Sequence, residues 1–343
     1  MLSKIKTYFN QDIGIDLGTK NTVIYVKKTG QTISEPSVVA VNSQNQSVIA
    51  IGNLAKDMVG RTPGNIIAMR PMKHGVIADF EVAKKMIEAF IYRTKEKSFF
   101  SKPRILIGIP WGITAVEKRA VTEAAYCAGA SAVYLVDEPM AAALGVNLPI
   151  DIPGGHLLVD IGGGTTEVAV ISLYGIVICK SIRTAGDAFD EAIIDHCKKN
   201  YNLFISESMA ESIKFNIGTA TSFESEKEML VKGRNLLNGF PQSFTLSSFE
   251  IHDALHHYVN TIVMTIKSTL ESTPPELSGD IINNGVILTG GGALLHGLGD
   301  YITKETGLSV KIANNPLPCV AEGTGKILND YDLFSKISSS ISK

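Results

Sequence analysis

Residues 156–175 read HLLVDIGGGTTEVAVISLYG. An apolar run reaches Asp160, passes three glycines and two threonines, and resumes as a second apolar run. That is the pattern of a strand–turn–strand hairpin with an acid at its mouth. The plan also occurs earlier, in GIDLGTKNTVIYV at residues 14–26. Asp16-Leu17-Gly18-Thr19 lies over Asp160-Ile161-Gly162-Gly163, and Thr22 and Thr166 each open the return strand. Two copies of one strand–loop–strand unit predict two similarly folded lobes.

The composition of these turns points to phosphate. Glycine lets backbone amides approach a polyphosphate closely, and Thr and Asn side chains add donors. A bare carboxylate repels phosphate, so Asp16 and Asp160 are expected to face a magnesium ion, directly or through its waters. A third glycine turn, LTGGG at 288–292, offers a side-chain-free surface for a base or ribose. The two common nucleotide motifs are missing. GTGKI at 323–327 has Val320 where a Walker loop needs its first glycine, and no GxGxxG follows a strand and opens a helix.

The chain has 343 residues, 45% hydrophobic and 19% charged, which predicts a globular protein of about two domains. A net charge of −2 argues against a nucleic-acid binder. The four cysteines lie far apart with no CxxC pair, as expected of reduced cytoplasmic thiols. The N-terminal stretch lacks a signal-peptide core, and the longest uncharged run, 281–299, reads as a glycine loop after a strand. Further strands are expected at 33–42, 47–52, 103–110 and 132–137, with helices over 79–97, 114–130, 187–202, 206–218 and 247–272. HDALHH puts His252 and His256 at zinc-motif spacing. Asp253 stands where that motif needs Glu and no third ligand is evident, so surface histidines are expected.

The two Asp hairpins, the late LTGGG and the duplicated lobes resemble the actin, sugar-kinase and heat-shock-chaperone ATPase superfamily. Segments such as EPSVVAV, GVIADF, EPMAAA, VDIGGGTTEVAVISL and LTGGGALL are similar to MreB, the family of bacterial actin homologues. The resemblance implies an α/β, actin-like ATPase fold: two related lobes, four subdomains in all, around a nucleotide cleft. The first lobe would span 1–150, with a small subdomain at about 39–73, completed by 316–343. The second would span 151–315, with a small subdomain at about 188–251.

By the same resemblance, Asp16 and Asp160 match the Mg2+ carboxylates, and Gly18, Thr19, Asn21, Gly162, Gly163 and Gly164 the phosphate clasp. Glu138 matches the glutamate that polarises the attacking water and Thr165 its partner. Glu211 and Lys214 match ribose and adenine contacts, with Gly290, Gly291 and Gly292 beneath the nucleotide. By spacing alone Glu211 and Lys214 are an i,i+3 helix pair. The implied function is an ATP-hydrolysing cytoskeletal protein, with ATP/ADP and Mg2+ as cofactors. It would polymerise head to tail with itself into paired antiparallel filaments on the inner membrane face and organise cell shape. Its implied partners are membrane lipid, family paralogues and cell-shape or wall-synthesis proteins.

This sequence departs from the common family pattern at Lys20, His74, Asn216 and Asp137. Phe99-Phe100, between lysines, suits the bilayer interface or else folds back into the core. The N-terminal Met1, Leu2, Ile5, Tyr8 and Phe9 form a possible short amphipathic helix. A small-molecule kinase of the same fold would need an Asp base in an acceptor pocket, for which no segment is evident. A chaperone would need a further peptide-binding domain.

Overall fold

Alternating apolar residues from Ile13 onward build a three-strand antiparallel meander: β1 (Ile13–Leu17), β2 (Asn21–Val26) and β3 (Gln31–Pro36). The computed structural model describes residues 12–94, 102–221, 225–337 and 341–342. The chain then leaves for a small sheet of β4 (Val39–Asn42), β5 (Val48–Ile51) and β6 (Ile66–Met69), with α1 (Asn53–Met58) packed on it. The segment expected as one strand over 33–42 is therefore two, broken at Ser37-Val38 and shared between two sheets. A short hairpin, β7 (Met72–Lys73) and β8 (Val76–Ile77), precedes α2 (Phe80–Thr94). Then come β9 (Arg104–Ile109), α3 (Ala115–Cys127), β10 (Ala132–Asp137) and α4 (Glu138–Gly145). Thr114 and Glu117 start α3 with a reciprocal capping box.

The second copy begins with β11 (His156–Ile161), β12 (Thr166–Ser172) and β13 (Gly175–Ile182). It continues through α5 (Gly186–Tyr201), β14 (Leu203–Phe204), α6 (Glu207–Ile217), β15 (Glu228–Asn235) and β16 (Pro241–Ser247). Ser247 and Glu250 cap the long α7 (Ser248–Glu271). Then follow α8 (Pro275–Asn284), β17 (Val286–Thr289), a 3-10 turn over Gly291–Leu294, α9 (Leu298–Thr306) and β18 (Val310–Ile312). The chain closes with α10 (Cys319–Asn329), α11 (Tyr331–Lys336) and β19 (Ile341–Ser342).

The duplication extends to whole sheets. One runs β19-β10-β9-β1-β2-β3 and the other β13-β12-β11-β17-β18. Apart from β19, each reads third, second, first, fourth, fifth strand in its own chain order. In both, the first, fourth and fifth strands are parallel. Parallel strands buried on both faces read as continuous apolar runs, as LLVDI and RILIGI do. Each sheet has its own core. Ile13, Ile15, Met86, Phe90 and Ile107 lie in one, and Leu157, Val159, Phe189, Ile213 and Ile262 in the other. Each such side chain contributes roughly 1.5–3 kcal/mol when fully buried.

By packing, the chain forms two units. The first takes the described residues to Gly154, Ile171–Ser181, and those from Leu317 onward; the second takes Gly155–Val170 and Ile182–Pro316. Ile171–Ser181, expected with the second lobe, joins the first, where Tyr174 N–H donates to the Ile150 carbonyl at 2.8 Å. GTGKI belongs to α10 and serves helix packing. A Cβ on Gly323 would lie 1.7 Å from the Ala141 oxygen of α4. Lys326 Nζ donates to the Leu144 and Gly145 carbonyls at 2.6 and 2.8 Å, closing the C-terminus of α4.

Candidate functional site

Ligands of open α/β sheets gather at the carboxyl ends of parallel strands, and the carboxylates of interest stand there. In the first unit Asp16 of β1 is in register with Gly108 of β9, which is in register with Val136 of β10. Asp137 and Glu138 follow at once. A Cβ on Gly108 would lie 2.7 Å from Val320 Cγ1 and 3.4 Å from Glu138 Cγ, so the bare glycine makes room for the Glu138 chain, itself 8% exposed. Burial pushes the Asp137 carboxyl up to about 6, against the opposing pull of Lys118.

The first hairpin turns tightly because Gly18 has no side chain: a Cβ would lie 2.5 Å from the Asn21 carbonyl oxygen. Ser37 holds the turn from behind. Its Oγ donates to the Gly18 carbonyl at 2.6 Å, its N–H donates to the Lys20 carbonyl at 2.9 Å, and its Oγ also shares a 2.9 Å bond with Thr22 Oγ1. The β7–β8 turn adds a third support, Gly75 N–H donating to Thr19 Oγ1 at 2.9 Å. His74, beside it, has a left-handed φ of 51°, and its Nδ1 is buried without a hydrogen-bond partner.

The second hairpin is built alike with different supports. Gly162 N–H closes the turn onto the Thr165 carbonyl at 2.9 Å. Its carbonyls are held by the start of α5: Gly186 N–H to Gly162 O at 3.2 Å and Asp187 N–H to Gly163 O at 2.7 Å. Thr166, the counterpart of Thr22, donates to the Thr184 carbonyl at 2.7 Å. Asp160 is 7% exposed and accepts from Thr289 Oγ1 at 2.7 Å. Burial pushes its carboxyl up to about 6, with the Thr289 bond opposing. Gly290, at φ 78° and ψ 164°, abuts this carboxylate: a Cβ would lie 2.3 Å from the Ile161 oxygen and 2.8 Å from Asp160 Oδ1. Gly292 likewise packs on Ile161. Two of the three LTGGG glycines therefore have a packing reason independent of any ligand.

Comparison with known proteins agrees with this architecture. The model of the MreB/Mbl protein family matches residues 10–336. The chain belongs to the MreB/Mbl family. Cell shape-determining protein MreB of Escherichia coli (strain K12) is 51% identical over 338 residues, 97% of each chain. Cell shape-determining protein Mbl of Bacillus subtilis (strain 168) is 49% identical over 328 residues, 96% of this chain and 98% of the relative. Among solved structures, MreB5 of Spiroplasma citri bound to AMPPNP superposes with a TM-score of 0.89 at 37% identity, over 96% of this chain and 99% of that one. The MamK double helical filament subunit shares the fold, with a TM-score of 0.80 at 19% identity over 94% and 99% of the two chains. The fold is actin-like.

Within this MreB/Mbl chain, the structure groups the expected residues by unit. Asp16, Gly18, Thr19, Asn21 and Glu138 gather on the first sheet; Asp160, Gly162, Gly163, Gly164, Thr165 and Gly290–Gly292 gather on the second. Glu211 and Lys214 lie on α6, Glu211 half-buried. The Lys214 ammonium, expected at the adenine, ion-pairs with buried Asp190 at 2.8 Å and donates to the Gly186 carbonyl at 3.0 Å. Phe99, Phe100 and the N-terminal segment lie outside the described residues. His252 Nδ1 lies 3.2 Å from Asp253, and among the described residues no three His, Cys, Asp or Glu side chains converge on a metal position. None of the described helices is long and apolar enough to cross a membrane.

Sequence reasoning missed Ser37, Gly186, Asp190 and Thr289. For Ser37 and Gly186 a signal existed: each follows the third strand of its repeat. Extending the alignment past the return strands would have brought them to notice.

Proposed function

We propose that this chain is an ATP-hydrolysing, filament-forming cytoskeletal protein of the actin type, in which glycine hairpins of this kind hold nucleotide phosphates. The observation that carries the reading is the doubled hairpin, in which a glycine turn beside a strand-end carboxylate has its carbonyls tied back. In a trans peptide the carbonyl and the next N–H point opposite ways. Tying Gly18 O to Ser37 turns the Thr19 N–H outward, and tying Gly162 and Gly163 O to α5 turns the Gly163 and Gly164 N–H groups outward. Outward amides beside a glycine turn suit an anion. The Spiroplasma citri relative, solved with AMPPNP and with ADP, supports the same reading.

The donor set also fits Mg2+. A carboxylate that burial makes reluctant to ionise, as Asp160 is, gains from a cation, and Asp16 occupies the equivalent place in the other repeat. Magnesium is commonly held by one or two carboxylates together with substrate phosphates and water. When bound, the ion neutralises charge on the phosphates. Glu138, enclosed at the head of α4, orients the attacking water in line with the terminal phosphate. Subunits add head to tail, an open heterologous contact that propagates. The filament lies on the inner face of the cytoplasmic membrane through Phe99-Phe100 and the N-terminal segment, and organises cell shape, as the names of the E. coli and B. subtilis relatives suggest.

The test is phosphate release against protein concentration, with ATP and magnesium and no acceptor. A threshold above which release climbs, abolished in Glu138→Ala, is expected. Release proportional to protein from the lowest concentration would remove the coupling to assembly. No release at any concentration would remove the hydrolytic activity.

A further inference from the structure

The Lys214–Asp190 pair is the most enclosed ion pair described in the second unit, with side chains 11% and 3% exposed. It stands behind the phosphate hairpin and touches it through one peptide group. The carbonyl of that group, on Gly186, accepts from Lys214 Nζ at 3.0 Å. Its N–H, on Asp187, donates to the Gly163 carbonyl at 2.7 Å. The Gly163 carbonyl shares its own peptide plane with the Gly164 N–H, which points the opposite way. The path is therefore continuous: ammonium, peptide 186–187, peptide 163–164, outward amide.

We propose that Lys214 is a positioning residue for the phosphates, which fixes and polarises the Gly164 amide through this relay. Hydrogen bonds in series strengthen one another in a low-dielectric interior, and a cation at the head of the series makes the last N–H a better donor. Asp190 holds the ammonium in place and keeps its charge compensated inside the protein. Gly186 completes the device: a Cβ there would lie 3.3 Å from the Gly162 oxygen and 3.6 Å from Gly163 Cα, so a side chain would press on the hairpin. The proposal rests on the nucleotide-binding reading above and assigns one of its residues a further task.

The experiment uses the full chain and three probes, ATP, adenosine and inorganic tripolyphosphate, competing against a fluorescent ATP analogue. Wild type that binds neither ATP nor tripolyphosphate would overturn the nucleotide reading itself. Lys214→Met alone leaves the buried Asp190 carboxylate without its ammonium, so the informative variant is the neutral pair Lys214→Met/Asp190→Asn, with folding checked by its thermal transition. ATP and tripolyphosphate are expected to weaken together by about tenfold while adenosine weakens much less, and the Gly164 amide proton is expected to move upfield. Lys214→Arg, which keeps a cation against Asp190, is expected to retain most of the tripolyphosphate affinity. Adenosine weakening as much as ATP, or unchanged affinity for all three probes in a folded variant, overturns the relay.

Discussion

The two glycine hairpins of this chain follow one local recipe and are secured by different means. In the first unit the Gly18 carbonyl is tied by a side chain, Ser37 Oγ; in the second the equivalent Gly162 carbonyl is tied by a backbone amide, that of Gly186. In the first, Thr22 meets the Ser37 hydroxyl; in the second, Thr166 meets the Thr184 carbonyl. The carboxylates differ as well, since Asp160 is enclosed and bonded to Thr289 whereas Asp16 is half-buried. A turn that must present its amides outward needs its carbonyls occupied on the other side, and either kind of donor suffices. A side-chain support can be deleted by one substitution. A backbone support can be reached only through the glycine packing or the ion pair behind it.

The largest expected effect tests the packing side of that contrast. Gly290→Ala puts a Cβ 2.3 Å from the Ile161 oxygen at a backbone conformation that is essentially reserved for glycine. Strain and overlap together are expected to cost about 4 kcal/mol. Gly18→Ala meets the Asn21 oxygen at 2.5 Å without a positive φ, and is expected to cost about half as much. Urea midpoints of the two variants decide; a Gly18→Ala protein as damaged as Gly290→Ala would mean the second hairpin is no more tightly braced than the first.

The enclosed carboxylate gives the next effect. Burial pushes the Asp160 carboxyl up to about 6 in the folded chain, from an ordinary value of 3.8. A folded-state value above the unfolded one means the native protein holds the proton more tightly, so this group's stabilising share is full at acid pH and is lost as pH rises from about 4 to about 6. The loss is about 3 kcal/mol at 1.36 kcal/mol per pK unit. In chelator, without nucleotide, Asp160→Asn is expected to flatten that portion of the stability–pH curve and to gain on wild type at pH 7. If wild type and Asp160→Asn keep a constant gap from pH 4 to 7, the carboxylate is better solvated than its enclosure implies.

Ser37→Ala follows, at about 1–2 kcal/mol, because it leaves the Gly18 carbonyl and the Thr22 hydroxyl without their partner in a buried place. Nucleotide affinity is expected to fall several-fold with it. A variant that loses the stability but binds ATP as wild type would show that the Thr19 amide needs no side-chain support.

Much of this architecture was legible in the residues. Asp16 and Asp160 announced the repeat, since each precedes a turn of Gly and Thr between apolar runs, and the sheets carry that repeat through five strands in the same order. The break inside ISEPSVVAVN was not legible, because its β-branched residues suit a strand on either side and only the Ser37 bonds to Gly18 and Lys20 show why the chain turns there. Lys214 illustrates another limit. Spacing identifies it as one end of an i,i+3 pair with Glu211, yet its ammonium is committed to Asp190 on a different helix, a tertiary contact that no local pattern encodes. GTGKI misleads in the opposite sense: a phosphate-like string whose Gly323 serves the α4–α10 crossing and whose Gly325 makes room for Tyr25 of β2.

The smallest effect concerns the β7–β8 turn, the support that only the first hairpin has. Its contact with Thr19 is made by the Gly75 amide, and the His74 ring beside it has a buried Nδ1 with no partner. Asn accepts the left-handed conformation at this position at least as well as His, and it removes the orphaned ring nitrogen. His74→Asn is therefore expected to change stability by no more than about 0.5 kcal/mol, with a gain as the direction, and to leave ATP affinity within about twofold. Thr19→Val, which takes away the acceptor for Gly75, is expected to cost about 1 kcal/mol and to weaken ATP binding. Isothermal titration of the two variants separates backbone from ring. Should His74→Asn lose more affinity than Thr19→Val, the imidazole would itself be part of the first hairpin's support, and the two hairpins would differ by one more side chain than the hydrogen bonds reveal.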